Sequence, residues 1–342
     1  MEEELKIFIL VWFSAIISVT YCYYFTPKIK TRFIRLVSVL RVCALFLVLP
    51  MFLTTIHFSF TIAFFLSGLV VAKLILFAFE KGPLFLVPPN VFHFICFACF
   101  PIKLQKSTNL ENHNHFHKWF FTVKFFILSA LLLQVYDYRQ YLPPIFLLGL
   151  YSLHLYLELE ISLTLIKFLV TVTLGCDLEA QFNEPYLATS LHDFWGHRWN
   201  LMVSETLKLP VYLPIGKWRV NSSEWDMLLG IFATFLVSGV AHEIMFFYLM
   251  REKPTWEVSW FFVLHGVCTA AEVAVKRKTK LVQRWPVNPA VSRLVTVGFV
   301  FVFFPPQPVR NGLMERFTSE TLFLINFFKH KVLILLGFFT SF

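Results

Sequence analysis

Charged residues are scarce in this chain, and their scarcity excludes most soluble classes of protein. They make up 15% of the 342 residues, whereas soluble domains contain about 25%. Glycine and cysteine are also sparse, with 12 and 6 residues. The composition is therefore not that of a disordered chain, a collagen-like fibre or a small fold held together by disulfides.

Apolar residues take the place of the missing charge. Hydrophobic residues make up 57% of the chain, phenylalanine alone contributes 43 residues, and the mean hydropathy is +0.67. A soluble globule of this size could not bury so much apolar surface. The composition therefore predicts an all-α, multi-pass membrane protein. We assign most of the net charge of +9 to loops on the cytosolic side, and we expect no nucleic-acid partner.

Hydropathy divides the chain into apolar runs that predict about 8–9 transmembrane helices. One crossing needs about 20 predominantly apolar residues. Two stretches, 91–100 and 182–216, are too short or too mixed in polarity, so we expect them to lie in the interface or to re-enter. Residues 1–342 are expected to form a single integral-membrane domain. The expected spans are 5–24, 36–53, 58–79, 119–136, 144–175, 227–249, 257–274, 291–305 and 321–341.

Positive charge predicts the orientation of these spans. The loops after the first, third and seventh spans are rich in Lys and Arg, which places them in the cytosol. The loops near Thr54 and Asp137 then face the lumen, and segment 176–226 is expected to be cytosolic or interfacial. That alternation requires a single crossing within 143–175. One long helix, continuous or broken near residues 158–160, meets this requirement better than a hairpin.

Several motifs that carry chemistry are absent or incomplete. No GxxxxGK[ST] and no GxGxxG occurs, so nucleotide phosphates are not held by a glycine-rich loop. Cys96 and Cys99 have CxxC spacing, but no second pair completes a zinc site. His113, His115 and His117 include one HxxxH spacing, whereas a membrane di-iron oxygenase needs several such boxes. We therefore predict no metal site.

His242 is the first candidate for chemistry. It lies in the apolar run 231–245, about 22 Å into a helix that begins near Met227. Ionisable groups at this depth are costly, and a neutral imidazole can accept a proton near physiological pH. Ser238 lies one turn earlier on the same face. Depth alone is equally compatible with catalysis and with a hydrogen bond between helices.

The second candidate is a cluster of aromatic and polar residues that ends at Asn200. Trp195 and Trp199 are four residues apart, a spacing that is also typical of an amphipathic helix with tryptophans at the membrane surface. An asparagine amide can donate to a developing oxyanion. The residue types alone suggest, but do not establish, that Asn200 is such a donor.

Together these stretches resemble a known family. Residues 194–200 (FWGHRWN), preceded by 185–191 (PYLATSL) and followed by 238–243 (SGVAHE), resemble the membrane-bound O-acyltransferases over most of the chain. The closer match is the plant wax synthase branch, the long-chain-alcohol O-fatty-acyltransferases. Diacylglycerol and sterol acyltransferases carry an acidic residue before the two tryptophans of this motif, whereas this chain has Gly-His-Arg at 196–198. The motif therefore indicates acyl transfer and leaves the acceptor open between a fatty alcohol and a sterol.

The resemblance implies an endoplasmic-reticulum enzyme in which helices surround an internal tunnel that meets His242. His242 would be the catalytic histidine and Asn200 its companion. Acyl-CoA would be the donor, with no cofactor, and a long-chain alcohol or another lipid would be the acceptor from the bilayer. A sterol O-acyltransferase is the alternative within the family, and a membrane transporter is the alternative from another class. Residues expected to bind substrate are Trp195, Trp199, Arg198, Ser238, Lys217 and Arg219, with the cationic ones facing the CoA phosphates.

Overall fold

A computed structural model describes residues 1–86, 90–101, 114–175, 178–216, 223–278, 288–303 and 312–339. Within these ranges the regular elements are helices, and no β-strand occurs. The principal helices are α1 (Glu2–Phe25), α2 (Arg32–Val48), α3 (Ile56–Ala78), α4 (Val91–Cys99), α5 (Asn114–Leu133), α6 (Pro144–Leu174), α7 (Leu201–Leu207), α8 (Glu224–Met250), α9 (Glu257–Lys278), α10 (Pro289–Val302) and α11 (Leu313–Phe339). The middle of α3, Ala63–Val70, is a π-helical stretch.

Five helical segments in the described part of the chain are long and apolar enough to cross a membrane. They contain α1, α2, α3, α8 and α9. The apolar part of α5 and the whole of α10 are shorter. Helices satisfy every interior backbone group within one segment, which is why apolar runs of this length fold as helices in lipid. The all-α, multi-pass membrane fold expected from composition is confirmed.

Local capping signals determine where two of the long helices begin and end. Asp226 N–H donates to Ser223 Oγ at 3.3 Å, and Ser223 N–H donates to Asp226 Oδ2 at 2.8 Å. This reciprocal pair satisfies two of the free N–H groups at the start of α8. Gly175 ends α6 with a φ of +64°, a left-handed conformation that glycine adopts without steric cost.

α6 is one continuous helix of 31 residues. It is a single helix rather than a hairpin, as expected, and no break occurs near Glu158 and Glu160. Both carboxylates have partners inside the bundle: Lys124 Nζ donates to Glu160 at 2.6 Å, and His154 Nε2 lies 2.9 Å from Glu158. Because each charge is paired where it lies, the helix need not open to hydrate it.

α4 is held inside the bundle by a buried lysine of α3. The Lys73 side chain is fully buried, and its Nζ donates to the carbonyls of Phe97 and Phe100, each at 2.7 Å. The last carbonyls of a helix have no partner within the helix and form the negative end of its dipole. The ammonium therefore caps α4. The stretch 91–100, expected to lie in the interface or to re-enter, is packed into the core.

Lys73→Met should lower the thermal unfolding midpoint of the detergent-solubilised protein by several degrees. Methionine has a similar volume but donates no hydrogen bond, so the carbonyls of Phe97 and Phe100 would stay buried without a partner. Each such group costs about 1–3 kcal/mol. Lys6→Met is the matched control, because Lys6 pairs with Glu3 on the exposed surface, where ion pairs contribute little. Equal midpoints for the two variants would contradict the capping role.

α11 lies across one end of the bundle. Glu320 accepts a hydrogen bond from the first backbone N–H of α3 at 2.7 Å, and Lys331 pairs with the first turn of α1 at 2.5 Å. The starts of α1 and α3 lie together, because Glu4 accepts from Thr54. The two contacts of α11 are about 16 Å apart along its axis. This part of α11 therefore lies along one end of the bundle, whereas the sequence predicted a membrane-spanning helix over 321–341. We call this end of the bundle, where α1 and α3 begin, the α11 end.

Residues 178–216 fold into short turns and the short helix α7, docked on the bundle. Two of these turns, Phe194–Arg198 and Lys208–Tyr212, are π-helical. Leu191 N–H donates to Glu272 of α9 at 2.8 Å. The segment is therefore not one amphipathic helix on the membrane surface, and its side chains reach the interior.

Candidate active site

A cavity of about 1180 Å³ lies between α3, α6, α8, α9 and the turns around Asn200. Its wall consists mostly of Phe, Leu, Ile and Val side chains. Among the described lining residues, the groups with an imidazole or a carboxylate are His57, Glu158 and His242. A cavity with such a wall suits long hydrocarbon chains, and its few polar groups mark where a reacting or hydrogen-bonding atom can sit.

His242 lines this cavity from α8, and a single bond fixes its tautomer. Its Nδ1 lies 2.7 Å from the backbone oxygen of Ser238. A carbonyl oxygen only accepts, so Nδ1 carries the proton and Nε2 carries the lone pair. The Nε2 edge of the ring points away from its own helix. The predicted role of Ser238 as a substrate contact remains a prediction; the residue lines the cavity, and its carbonyl orients His242.

The imidazole is supported by Phe262 of α9, whose ring centroid is 4.4 Å from that of His242. This contact depends on a close approach of α8 to α9 at Gly239. A Cβ atom at that position would lie 3.2 Å from Phe262 Cβ and 3.2 Å from Ser259 Cα, which is tighter than nearly all observed contacts. Glycine at 239 therefore lets α9 pack close enough to hold the His242 ring.

Asn200 lines the same cavity in a strained backbone conformation. Its φ of +38° and ψ of +66° are left-handed, a region where asparagine is several-fold enriched among non-glycine residues. Its side-chain oxygen is buried and has no hydrogen-bond partner. Oxygen and nitrogen of an amide are interchangeable in position, so the unpartnered atom can equally be an N–H donor. Strain and an unsatisfied amide at a cavity wall are features of functional sites.

The two predicted tryptophans line the cavity as well. Trp195 packs edge-on against Phe235 at 5.7 Å and tilted against Phe262 at 6.1 Å. Trp199 lies 6.1 Å from Trp195 and 5.8 Å from Tyr156 of α6. The pair therefore joins the turns on which Asn200 lies to the helices that carry and support His242.

Arg198, the predicted CoA contact, binds within its own segment. Its Nε donates to Asp193 at 2.8 Å, and its Nη1 donates to the carbonyls of Asn183 and Glu184 at 3.2 and 3.4 Å. These bonds brace the turn that precedes Asn200. The other predicted cationic contacts, Lys217 and Arg219, lie outside the described residues.

The candidate histidine box at residues 113–117 also lies largely outside the part of the chain that the structure describes. His113 is not among the described residues, and only the backbone of His115 and His117 is described. In the described part of the chain, no group of three or more His, Cys, Asp or Glu side chains is placed to hold a metal ion.

Sequence reasoning missed Glu243, which follows the candidate histidine. It is buried, and its carboxylate lies beside the backbone N–H groups of Trp256 and Ser259. These groups lie at the start of α9, where an anion is favoured by the helix dipole. Glu243 therefore fixes α9 against α8 from the side of the helix opposite the cavity. An acidic residue buried in an apolar run was the available signal.

Sequence reasoning also missed the polar cluster on the far wall of the cavity. His57 of α3 and Glu158 of α6 line it, and His154 lies behind Glu158. Residues 57 and 158 are about a hundred positions apart, and no spacing rule links them. The available signal was Glu158 itself, since a carboxylate inside a membrane span is a functional candidate by default.

Comparison with known proteins identifies the family to which the chain is similar. Residues 178–264, which include Asn200 and His242, match the model of the Membrane bound O-acyl transferase family. The whole chain is 75% identical to "Probable long-chain-alcohol O-fatty-acyltransferase 6" of Arabidopsis thaliana, with all of both chains covered. It is 57% identical to "Probable long-chain-alcohol O-fatty-acyltransferase 3" of the same plant over 98% of this chain and 99% of that one. It is 55% identical to number 9 of the series, with 97% and 99% covered.

Proposed function

The chain belongs to the membrane-bound O-acyltransferase family, and we propose that His242 and Asn200 form its catalytic site. The chain is an enzyme that transfers a fatty acyl group to a long-chain alcohol, and its product is a wax ester. The observation that carries the site assignment is the tautomer of His242. Because Nδ1 is bound to the Ser238 carbonyl, Nε2 is left as a base on the wall of an apolar cavity.

His242 is the general base of the proposed mechanism. Its Nε2 takes the proton of the alcohol as the alcohol oxygen attacks the carbonyl carbon of the acyl thioester. The carbon–oxygen bond forms, and the carbonyl oxygen becomes an oxyanion. The Asn200 amide donates a hydrogen bond to that oxyanion. The carbon–sulfur bond then breaks, and the thiolate takes the proton from His242. No proton is gained or lost overall, so the base is ready for another turnover.

Acyl-CoA is the proposed donor. A thioester supplies the leaving group that this mechanism needs, and its CoA phosphates require cationic partners. We assign that contact to Lys208, Lys217 and Arg219, which the sequence places in a predicted cytosolic segment. We place the enzyme in the endoplasmic reticulum, and we propose that it uses no metal or other cofactor.

The activity is tested with membranes from cells that express the chain and from cells that do not. Both are incubated with radiolabelled palmitoyl-CoA and either hexadecanol or a sterol, in the presence and absence of EDTA. We expect a labelled wax ester that depends on the chain and on hexadecanol and that resists EDTA. A sterol ester formed in place of the wax ester would reassign the acceptor. No ester with either acceptor would contradict the proposed function.

A further inference from the structure

A network of hydrogen bonds holds Glu158 at a wall of the cavity. His154 Nε2 lies 2.9 Å from Glu158 Oε2, and His154 Nδ1 lies 2.8 Å from the hydroxyl of Tyr136. A carboxylate oxygen accepts, so Nε2 donates to it and Nδ1 accepts from Tyr136. His154 is completely buried, which makes this arrangement rigid. One oxygen of Glu158 is thereby fixed and satisfied.

The other oxygen of Glu158 keeps capacity to accept a hydrogen bond. His57 Nε2 is 3.3 Å from Glu158 Oε1 but only 2.8 Å from Thr321 Oγ1. Thr321 donates its own proton to the carbonyl of Phe317 at 2.9 Å, so it accepts from His57. The shorter bond of His57 is thus to Thr321. A carboxylate has about four acceptor positions, so Oε1 has an acceptor position beyond the one that His57 faces.

Glu158 and His57 line the same cavity as His242, among side chains such as Phe60, Leu153 and Leu159. Hydrocarbon packed against this wall would leave the remaining acceptor positions of Glu158 Oε1 unsatisfied, and a buried acceptor without a hydrogen bond is costly. A long-chain alcohol has one hydroxyl group, which the reaction places at His242. Its alkyl chain has no polar group to offer Glu158.

We propose that Glu158, positioned by His57 and His154, forms a second polar subsite that binds a hydroxyl group elsewhere on the acceptor. The preferred acceptors are then long-chain diols, with one hydroxyl at His242 and the other donating to Glu158 Oε1. This inference rests on the proposed function, because it names the class of acceptor for the same cavity.

The test compares α,ω-alkanediols with the corresponding 1-alkanols from six to sixteen carbons, using palmitoyl-CoA and membranes that contain the full chain. A diol has a twofold statistical advantage because it carries two reactive ends. The hydrogen bond to a charged group should raise kcat/KM for the diol about tenfold above that baseline. The preference should peak at the chain length that matches the separation of the two subsites.

Variants of Glu158 assign the preference to this residue. Glu158→Leu should bring the diol-to-alkanol ratio down to the statistical value of about two. Glu158→Gln keeps the shape but not the charge, and should lower the ratio at least threefold. A ratio measured on one preparation does not depend on how much of the protein is folded. Glu160→Gln is the matched control. Because Glu160 pairs with Lys124, this variant should leave the diol-to-alkanol ratio unchanged.

The outcomes separate this inference from the function on which it rests. Equal use of diols and alkanols at every chain length, after the statistical correction, would overturn the inference and leave wax ester synthesis intact. A preference that survives in both Glu158 variants would also overturn it. Ester formation from neither class of acceptor would contradict the proposed function itself.

Discussion

His242→Ala should reduce esterification by about 10²–10⁴-fold while the protein still accumulates in membranes. Removal of a general base typically costs this much in rate, because the alcohol must then lose its proton to a weaker acceptor. His242 lies in the cavity wall, and within the described residues its hydrogen bond is to Ser238 of its own helix. The fold should therefore tolerate the change.

The measurement is the initial rate of wax ester formation at equal protein level in membranes. The matched control is His330→Ala, which removes an exposed histidine from α11 and should leave the rate unchanged. Retention of more than about a tenth of the rate by His242→Ala would falsify its assignment as the base.

Asn200→Asp should lower kcat by about 10²–10³-fold with a much smaller change in KM for acyl-CoA. Loss of one donor to an oxyanion has this effect, because the interaction exists mainly in the transition state. Aspartate tests the amide more directly than alanine does, because both Asn and Asp tolerate the left-handed backbone of residue 200. Asn200→Ala adds strain to the loss of the amide, and should be the less stable protein.

Asn90→Asp controls for the change of an amide to a carboxylate. Asn90 caps α4 through its side-chain oxygen, which accepts from Phe92 N–H, and aspartate caps equally well. Its kcat should match that of the unaltered protein. An unchanged kcat in Asn200→Asp would return Asn200 to a packing role, and an equal loss of kcat in both variants would point to a general effect of added charge.

The helices and the position of His242 could be predicted from the sequence because both depend on local properties. Predicted span 227–249 corresponds to α8 at Glu224–Met250, and the small difference is the capping box at Ser223. A backbone in lipid must satisfy its own hydrogen bonds, so hydropathy alone places such helices. The depth of His242 along this helix then follows from the rise per residue.

The cavity wall could not be predicted, because it depends on how separate segments pack. The left-handed conformation of Asn200 comes from bonds to neighbours, such as Leu201 N–H to the Gln181 carbonyl at 2.8 Å. Arg198 has the right charge for a phosphate, and its bonds to Asp193, Asn183 and Glu184 could not be read from the sequence. α11 had enough apolar residues for a span, but the contacts of Glu320 with the start of α3 and of Lys331 with the start of α1 hold it across one end of the bundle.

The shape of the cavity wall depends on how many residues the π-helical stretch of α3 contains. Ala63–Val70 carries a wider turn than an α-helix, and residues 63–65 and 67–69 line the cavity. A π turn holds about one residue more than an α turn, so deletion of one residue there would restore a regular helix with the flanking segments nearly in register. His57 would stay beside Glu158, while the side chains that residues 63–69 present to the cavity would change. A one-residue deletion within this stretch is thus an evolutionary route to a differently shaped wall, without any substitution at His57 or Glu158.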